Sequence, residues 1–193
     1  MKIQTFTIVV GTSACNASCP YCISRMTPRQ GVGYTLEPTN WLNFDKACRL
    51  AQINNVSTVL LTGKGEPLIY PDQITEFLKK MKRFEFPIIE IQTNGLLFSE
   101  DWEKYEKYLK EWRELGLNTI AFSVVHYERN RNKEIYTPEG DYMDLPKIIE
   151  KIHEMGFSVR LSCIMLKEYI DSVDEVKKFV EKVKKWKVEQ LTI

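Results

Sequence analysis

Apolar residues along the chain follow two alternating spacings. Short β-rich runs fall at Ile3–Val10, Val56–Thr62, Ile88–Thr93, Thr119–Val124, Val159–Met165 and Val188–Ile193, and each predicts a strand. Between them apolar residues recur three and four positions apart, which gathers them on one face of a helix. One such stripe is Ile74, Phe77, Leu78 and Met81; a second is Trp102, Tyr105, Tyr108, Leu109 and Trp112. Leu145, Ile148, Ile149 and Ile152 make a third, and Val173, Val176, Phe179, Val180 and Val183 a fourth. Two of these helices run into the same signal, Leu115-Gly116-Leu117 and Met155-Gly156-Phe157. Glycine there takes the left-handed conformation that stops a helix ahead of the next strand. Repeated strand–helix units imply an α/β fold with a parallel sheet and right-handed crossovers. No Pro- or Ser-rich linker interrupts the series, so residues 1–193 read as one domain.

The strands also carry polar stripes. Glu90, Gln92 and Asn94 share one face of the third strand, Arg160 and Ser162 one face of the fifth, and Thr58 and Thr62 one face of the second. A parallel strand buried on both faces is nearly all apolar. The stripes therefore predict a sheet curved around a polar interior; half-exposed edge strands are the alternative that the same period allows.

Composition adds limits. A chain with 44% hydrophobic and 27% charged residues is globular rather than disordered. A net charge of +1 gives no electrostatic reason to expect nucleic acid or an anionic membrane as partner. No segment approaches the roughly 20 apolar residues that span a bilayer. The run Ile8-Val9-Val10 is too short for the core of an export signal, so a cytoplasmic location is expected.

Five cysteines are an odd number, and three lie within eight residues, which points to metal binding or catalysis in a reducing compartment. Directly after the first strand stands Cys15-Asn16-Ala17-Ser18-Cys19-Pro20-Tyr21-Cys22, with the spacing C-x3-C-x2-C. Three thiolates are soft ligands for an iron–sulfur cluster or for zinc. A structural zinc site takes four protein ligands. The fourth would have to be Cys48, Cys163, His126 or His153, none of them at a supporting spacing. Three ligands on a four-iron cluster instead leave one iron open to an outside molecule.

That spacing, with aromatic Tyr21 before the last cysteine, resembles the signature loop of the radical S-adenosylmethionine superfamily. The resemblance implies a [4Fe-4S] cluster on Cys15, Cys19 and Cys22, with S-adenosylmethionine chelated at the open iron. Reductive cleavage would then yield a 5′-deoxyadenosyl radical, the cofactor carrying the hard chemistry. Thr62-Gly63-Lys64-Gly65-Glu66-Pro67, after the second strand, is similar to the family's Gly-Gly-Glu-Pro motif, with Lys64 in place of the doubled glycine. By that likeness Gly63, Gly65 and Glu66 hold the cofactor's methionine amino group, and a Gly65→Val change is expected to spare the cluster while impairing cofactor binding. Lys64 is read as solvated in preference to a substrate contact.

Thr93-Asn94-Gly95 also looks like the family, although Asn-Gly is a good turn in its own right. The resemblance places Tyr21 near adenine, packing under the loop being its other reading, and Ser123 near ribose. Arg160 and Ser162 become candidate partners for the cofactor's carboxylate and ribose, with an internal Arg160–Glu90 ion pair as the structural alternative for Arg160. The implied fold is a partial (β/α)6 barrel with its site at the C-terminal strand ends, here ending at the sixth strand without the helix that follows it. An electron donor of flavodoxin or ferredoxin type is implied, and a peptide, protein or small molecule as substrate. A glycyl-radical activase competes with a peptide- or metabolite-modifying enzyme. From another class stands a non-catalytic iron–sulfur or zinc module, or a core that needs a partner.

Other features read as bland. His126 to Lys133 is expected to be a solvated connection, with a substrate lid as the alternative. Lys177, Lys178, Lys182, Lys184 and Lys185 form the wet face of the last helix, and Cys48 and Cys163 belong to the core.

Overall fold

A computed structural model of the chain describes residues 3–27 and 32–193. Strand β1 (Thr5–Val9) leads into a short helix α1 (Ile23–Met26) and then α2 (Trp41–Ile53). Units β2 (Thr58–Thr62) with α3 (Pro71–Met81), and β3 (Ile88–Thr93) with α4 (Leu96–Glu100) and α5 (Trp102–Glu114), follow. After β4 (Thr119–Val124) come α6 (Arg129–Tyr136) and α7 (Leu145–Glu154), then β5 (Ser158–Cys163), α8 (Val173–Lys185) and β6 (Gln190–Thr192). All six strands pair in parallel in the order β1-β2-β3-β4-β5-β6, forming one open sheet. The repeating units predict this parallel α/β sheet, and the partial barrel is the one that the resemblance implies.

Local chemistry sets the helix ends. Asn40, Asp101, Asp144 and Ser172 each accept a backbone N–H of the first turn, capping α2, α5, α7 and α8. Gly116 and Gly156 close α5 and α7 at φ +106° and +80°, as their sequence contexts predict. The four predicted apolar stripes fall on α3, α5, α7 and α8; those of α3 and α7 are buried throughout, whereas Trp102, Tyr108, Val176 and Val180 are half-buried and Val173, in the first turn of α8, faces solvent.

Strand residues facing the helices form the core: Val59, Leu61, Ile91, Ile120, Phe122, Val159 and Leu161 are completely buried. The alternate residues face the inside of the curve and are largely polar. Gln92 donates to Ser123 Oγ at 3.2 Å across β3 and β4. One level below, Arg160 on β5 meets Glu90 on β3 through two hydrogen bonds of 2.9 and 3.0 Å. Between them β4 presents two short side chains, Thr119 level with Glu90 and Ala121 level with Arg160, so these side chains can bridge alternate strands. Sheet curvature and short central side chains together make the pair possible.

Two expectations change. The segment after β4 is not a solvated connection: Arg129–Tyr136 is helical, and His126 is buried beside Tyr127. The first and last strands are shorter than their apolar runs. Among the described residues, no helix is long and apolar enough to cross a membrane.

Truncating Glu90 would strand the Arg160 guanidinium, whose side chain is 13% exposed. Glu90→Ala is therefore expected to cost about 3–5 kcal/mol in urea denaturation, and the apolar pair Glu90→Leu with Arg160→Met to recover most of it. Equal losses in the single and double variants would show that the pair contributes nothing specific.

Candidate cluster and cofactor site

The cysteine loop is shaped mainly by main-chain bonds to its neighbours. At its start Gly11 adopts φ +72°, and a Cβ there would overlap the ring of Tyr70. The Gly11 N–H donates to Gln73 Oε1 at 2.7 Å, and Thr12 Oγ1 pairs with the Tyr70 hydroxyl at 2.6 Å. Next, the turn after β2 docks: Gly65 N–H donates to Thr12 O at 3.1 Å, and Glu66 N–H to Ala14 O at 2.9 Å. The approach leaves no room for a side chain at Gly65, where a Cβ would overlap the Ala14 carbonyl. On the far side, Ser18 N–H donates to Tyr136 O at 2.8 Å, so the end of α6 clasps the middle of the loop.

Behind this contact lies Glu66. Its carboxylate is buried and accepts from Leu68 N–H at 3.0 Å, Thr93 Oγ1 at 2.6 Å and Asn94 N–H at 2.9 Å. Burial pushes its pKa up, and the Thr93, Asn94 and Leu68 donors oppose the rise. The Asn94 amide in turn donates to Asn16 Oδ1 at 2.8 Å and points its N–H toward Cys15 Sγ at 3.9 Å.

Cys15 is exposed, and Cys19 and Cys22 are half-buried. Burial, then the neighbouring Cys15 and Cys22, pushes the Cys19 thiol up to about 11. Such mutual repulsion is relieved when thiolates bind a cationic centre. Among the described residues no group of three or more His, Cys, Asp or Glu closes on a single ion, whereas a multi-iron cluster takes each thiolate on a different iron. The buried Asn16 Nδ2 donor beside Cys15 has no partner, which suits a sulfur-rich acceptor. The residues fit a cluster on Cys15, Cys19 and Cys22.

The three cysteines border a cavity of about 510 Å³ at the C-terminal strand ends. Tyr21, Gly63, Gly65, Glu66, Asn94 and Ser123 line it, together with Lys64 and Tyr136. Arg160 and Ser162 do not. Ser162 lies level with Ser123 on the neighbouring strand, and Arg160 is turned toward the opposite mouth, where it and Glu90 line a larger cavity of about 770 Å³. The larger space lies at the N-terminal strand ends, away from the thiols, so the smaller one is the candidate site.

Residues 9–180 match the family described as the radical SAM superfamily. The chain belongs to that superfamily.

Relatives agree with the assignment. Over 176 residues the chain is 26% identical to an S-adenosylmethionine-dependent nucleotide dehydratase of a Thermoplasmatales archaeon, covering 88% of this chain and 55% of that one. It is 36% identical over 89 residues to a probable GTP 3′,8-cyclase of Methanothermobacter marburgensis, covering 46% of this chain and 27% of that one. Among solved structures, Streptococcus suis SuiB bound to its precursor peptide SuiA superposes with a TM-score of 0.70 at 17% identity, over 99% of this chain and 39% of SuiB. The chain thus spans about half the length of the curated relatives that it matches along most of its own length.

Within this radical SAM core the structure adds a bracing role for Glu66 and decides between the two readings of Arg160. Both Glu66 oxygens accept from protein donors, so Glu66 braces the site from beneath while it lines the cavity. Arg160 is committed to Glu90, and the internal ion pair is the arrangement found. Sequence reasoning also missed Asn16, Thr93 and Tyr136. Thr93 belongs to a motif already singled out, but nothing in the sequence signals Tyr136.

The packing of Gly65 on Ala14 corrects the expectation that a side chain there would spare the cluster. Gly65→Ala should displace the cysteine loop and lower iron incorporation although every ligand remains. Full iron content in that variant would show that the loop tolerates the displacement.

Proposed function

We propose that this chain is the catalytic core of an enzyme that reductively cleaves S-adenosylmethionine and abstracts hydrogen from a substrate seated over the open cavity. The carrying observation is the convergence of Cys15, Cys19 and Cys22 with the Gly63–Glu66 turn, Asn94 and Ser123 around one cavity. When bound, the cluster supplies the electron and S-adenosylmethionine supplies the 5′-deoxyadenosyl radical.

The chain's own residues bind and orient. Cys15, Cys19 and Cys22 hold the cluster through thiolates. The Gly65 and Glu66 N–H groups are already bonded to the loop, which leaves the turn's carbonyl oxygens to accept from the cofactor's ammonium group. Ser123 Oγ, held by Gln92, faces the cavity at a height suited to a ribose hydroxyl. The Tyr21 ring forms part of the wall and suits the adenine face. All five cysteines are free thiols, in keeping with a reducing compartment, the cytoplasm, where an electron carrier of flavodoxin or ferredoxin type reduces the cluster.

The test uses anaerobically purified, iron- and sulfide-reconstituted protein with dithionite and S-adenosylmethionine. Formation of 5′-deoxyadenosine is expected, with Cys19→Ala losing both the iron and the product. A fully loaded cluster that yields no 5′-deoxyadenosine would overturn the enzymatic reading.

A further inference from the structure

Few buried polar side-chain atoms among the described residues lack a hydrogen bond of good geometry, and those few cluster. Apart from Asp45 Oδ1, which is ion-paired with Arg83, they are Asn16 Nδ2 and the hydroxyls of Tyr21, Tyr136 and Tyr142. Asn16 and Tyr21 belong to the cysteine loop. Tyr136 lines the same cavity and holds Ser18 by its carbonyl, and the Tyr142 ring packs on Tyr136 with centroids 5.5 Å apart. Each unmet buried group costs about 1–3 kcal/mol, so native proteins keep few.

All four groups can donate. Tyr21 links them to the loop, its hydroxyl lying within reach of both the Tyr136 hydroxyl and the Cys19 sulfur, and thiolate and sulfide sulfurs are acceptors. The phenols stand in a row that ends at Cys19: Tyr142 packs on Tyr136, the Tyr136 and Tyr21 hydroxyls face each other, and Tyr21 reaches Cys19. Tyr142 is fully buried and Tyr136 is 2% exposed, so water does not readily replace their bonds.

We propose that Tyr21, Tyr136 and Tyr142 form a buried donor layer beneath Cys19 that hydrogen-bonds sulfur on that side of the cluster and raises its reduction potential. Reduction adds one negative charge to the cluster, so donors aimed at its sulfurs stabilise the reduced form more than the oxidised one. Each phenol polarises the next, which lets the outer Tyr142 act through Tyr136. Tyr136 and Tyr142 are thus positioning residues. The inference rests on the cluster assignment to Cys15, Cys19 and Cys22.

The experiment measures the midpoint potential of the reconstituted cluster by EPR-monitored redox titration in the wild type, Tyr136→Phe, Tyr142→Phe and the double variant, with iron content determined for each. Tyr105→Phe serves as the control, because Tyr105 is a buried tyrosine whose hydroxyl already donates to Leu68 O at 2.7 Å. The expected result is unchanged iron content and a more negative potential, with a larger shift for Tyr136 than for Tyr142 and the largest for the double variant. The control should lower thermal stability and leave the potential in place. Unmoved potentials at full iron content, or a shift as large in Tyr105→Phe, would overturn the proposal and leave the cluster assignment standing. A wild-type protein that binds no four-iron cluster would overturn both.

Discussion

The site depends on one buried carboxylate. Burying an ionised side chain costs several kcal/mol unless it is well bonded, and Glu66 meets that cost with three donors from two segments of chain. Through them the turn after β2 and the end of β3 become one rigid piece. That piece presents the Gly65 and Glu66 amides to Thr12 and Ala14, and the Asn94 amide to Asn16. The shape of the cysteine loop is therefore inherited from a carboxylate whose own bonds all lie outside the loop.

The barrel interior divides into levels with different tasks. At the top, backbone turns and short polar side chains leave room for a ligand. Beneath them the Gln92–Ser123 bond and the Glu90–Arg160 pair cross the lumen. The two cavities share no lining residue, so the polar stripe of β3 lines the upper cavity through Gln92 and Asn94 and joins Arg160 of β5 in an internal brace below. Alternation along a strand tells which residues face inward. It does not tell toward which mouth a long side chain leans.

This difference accounts for what the sequence revealed. The candidate ligand set was legible because the three cysteines lie close along the chain, and so was the glycine turn, whose close approach to another backbone is a demand that glycine meets. The sheet was legible because strand and helix periods differ. Arg160 was not, since its direction depends on Glu90 two strands away and on the short side chains of Thr119 and Ala121 between them. Glu66 was identified as a site residue, but its bracing role depends on Thr93, which lies 27 positions along the chain. Helix α6 escaped notice because Arg-Asn-Arg-Asn-Lys-Glu-Ile-Tyr reads as solvated loop; its inner face comes from Asn132, bonded to Val125 and His126, and from Tyr136, docked on the cysteine loop.

The way the cysteine loop is held has an evolutionary consequence. Its clamps from the β2 turn and from α6 are largely peptide groups, the amides and carbonyls of Thr12, Ala14, Ser18, Gly65, Glu66 and Tyr136. Peptide groups survive any substitution except proline, so an exposed residue such as Ser18 can change without loss of loop shape. Selection falls instead on places where a backbone must come close, Gly11 and Gly65. A signature preserved in this way keeps its spacing through long divergence while the letters between its cysteines change.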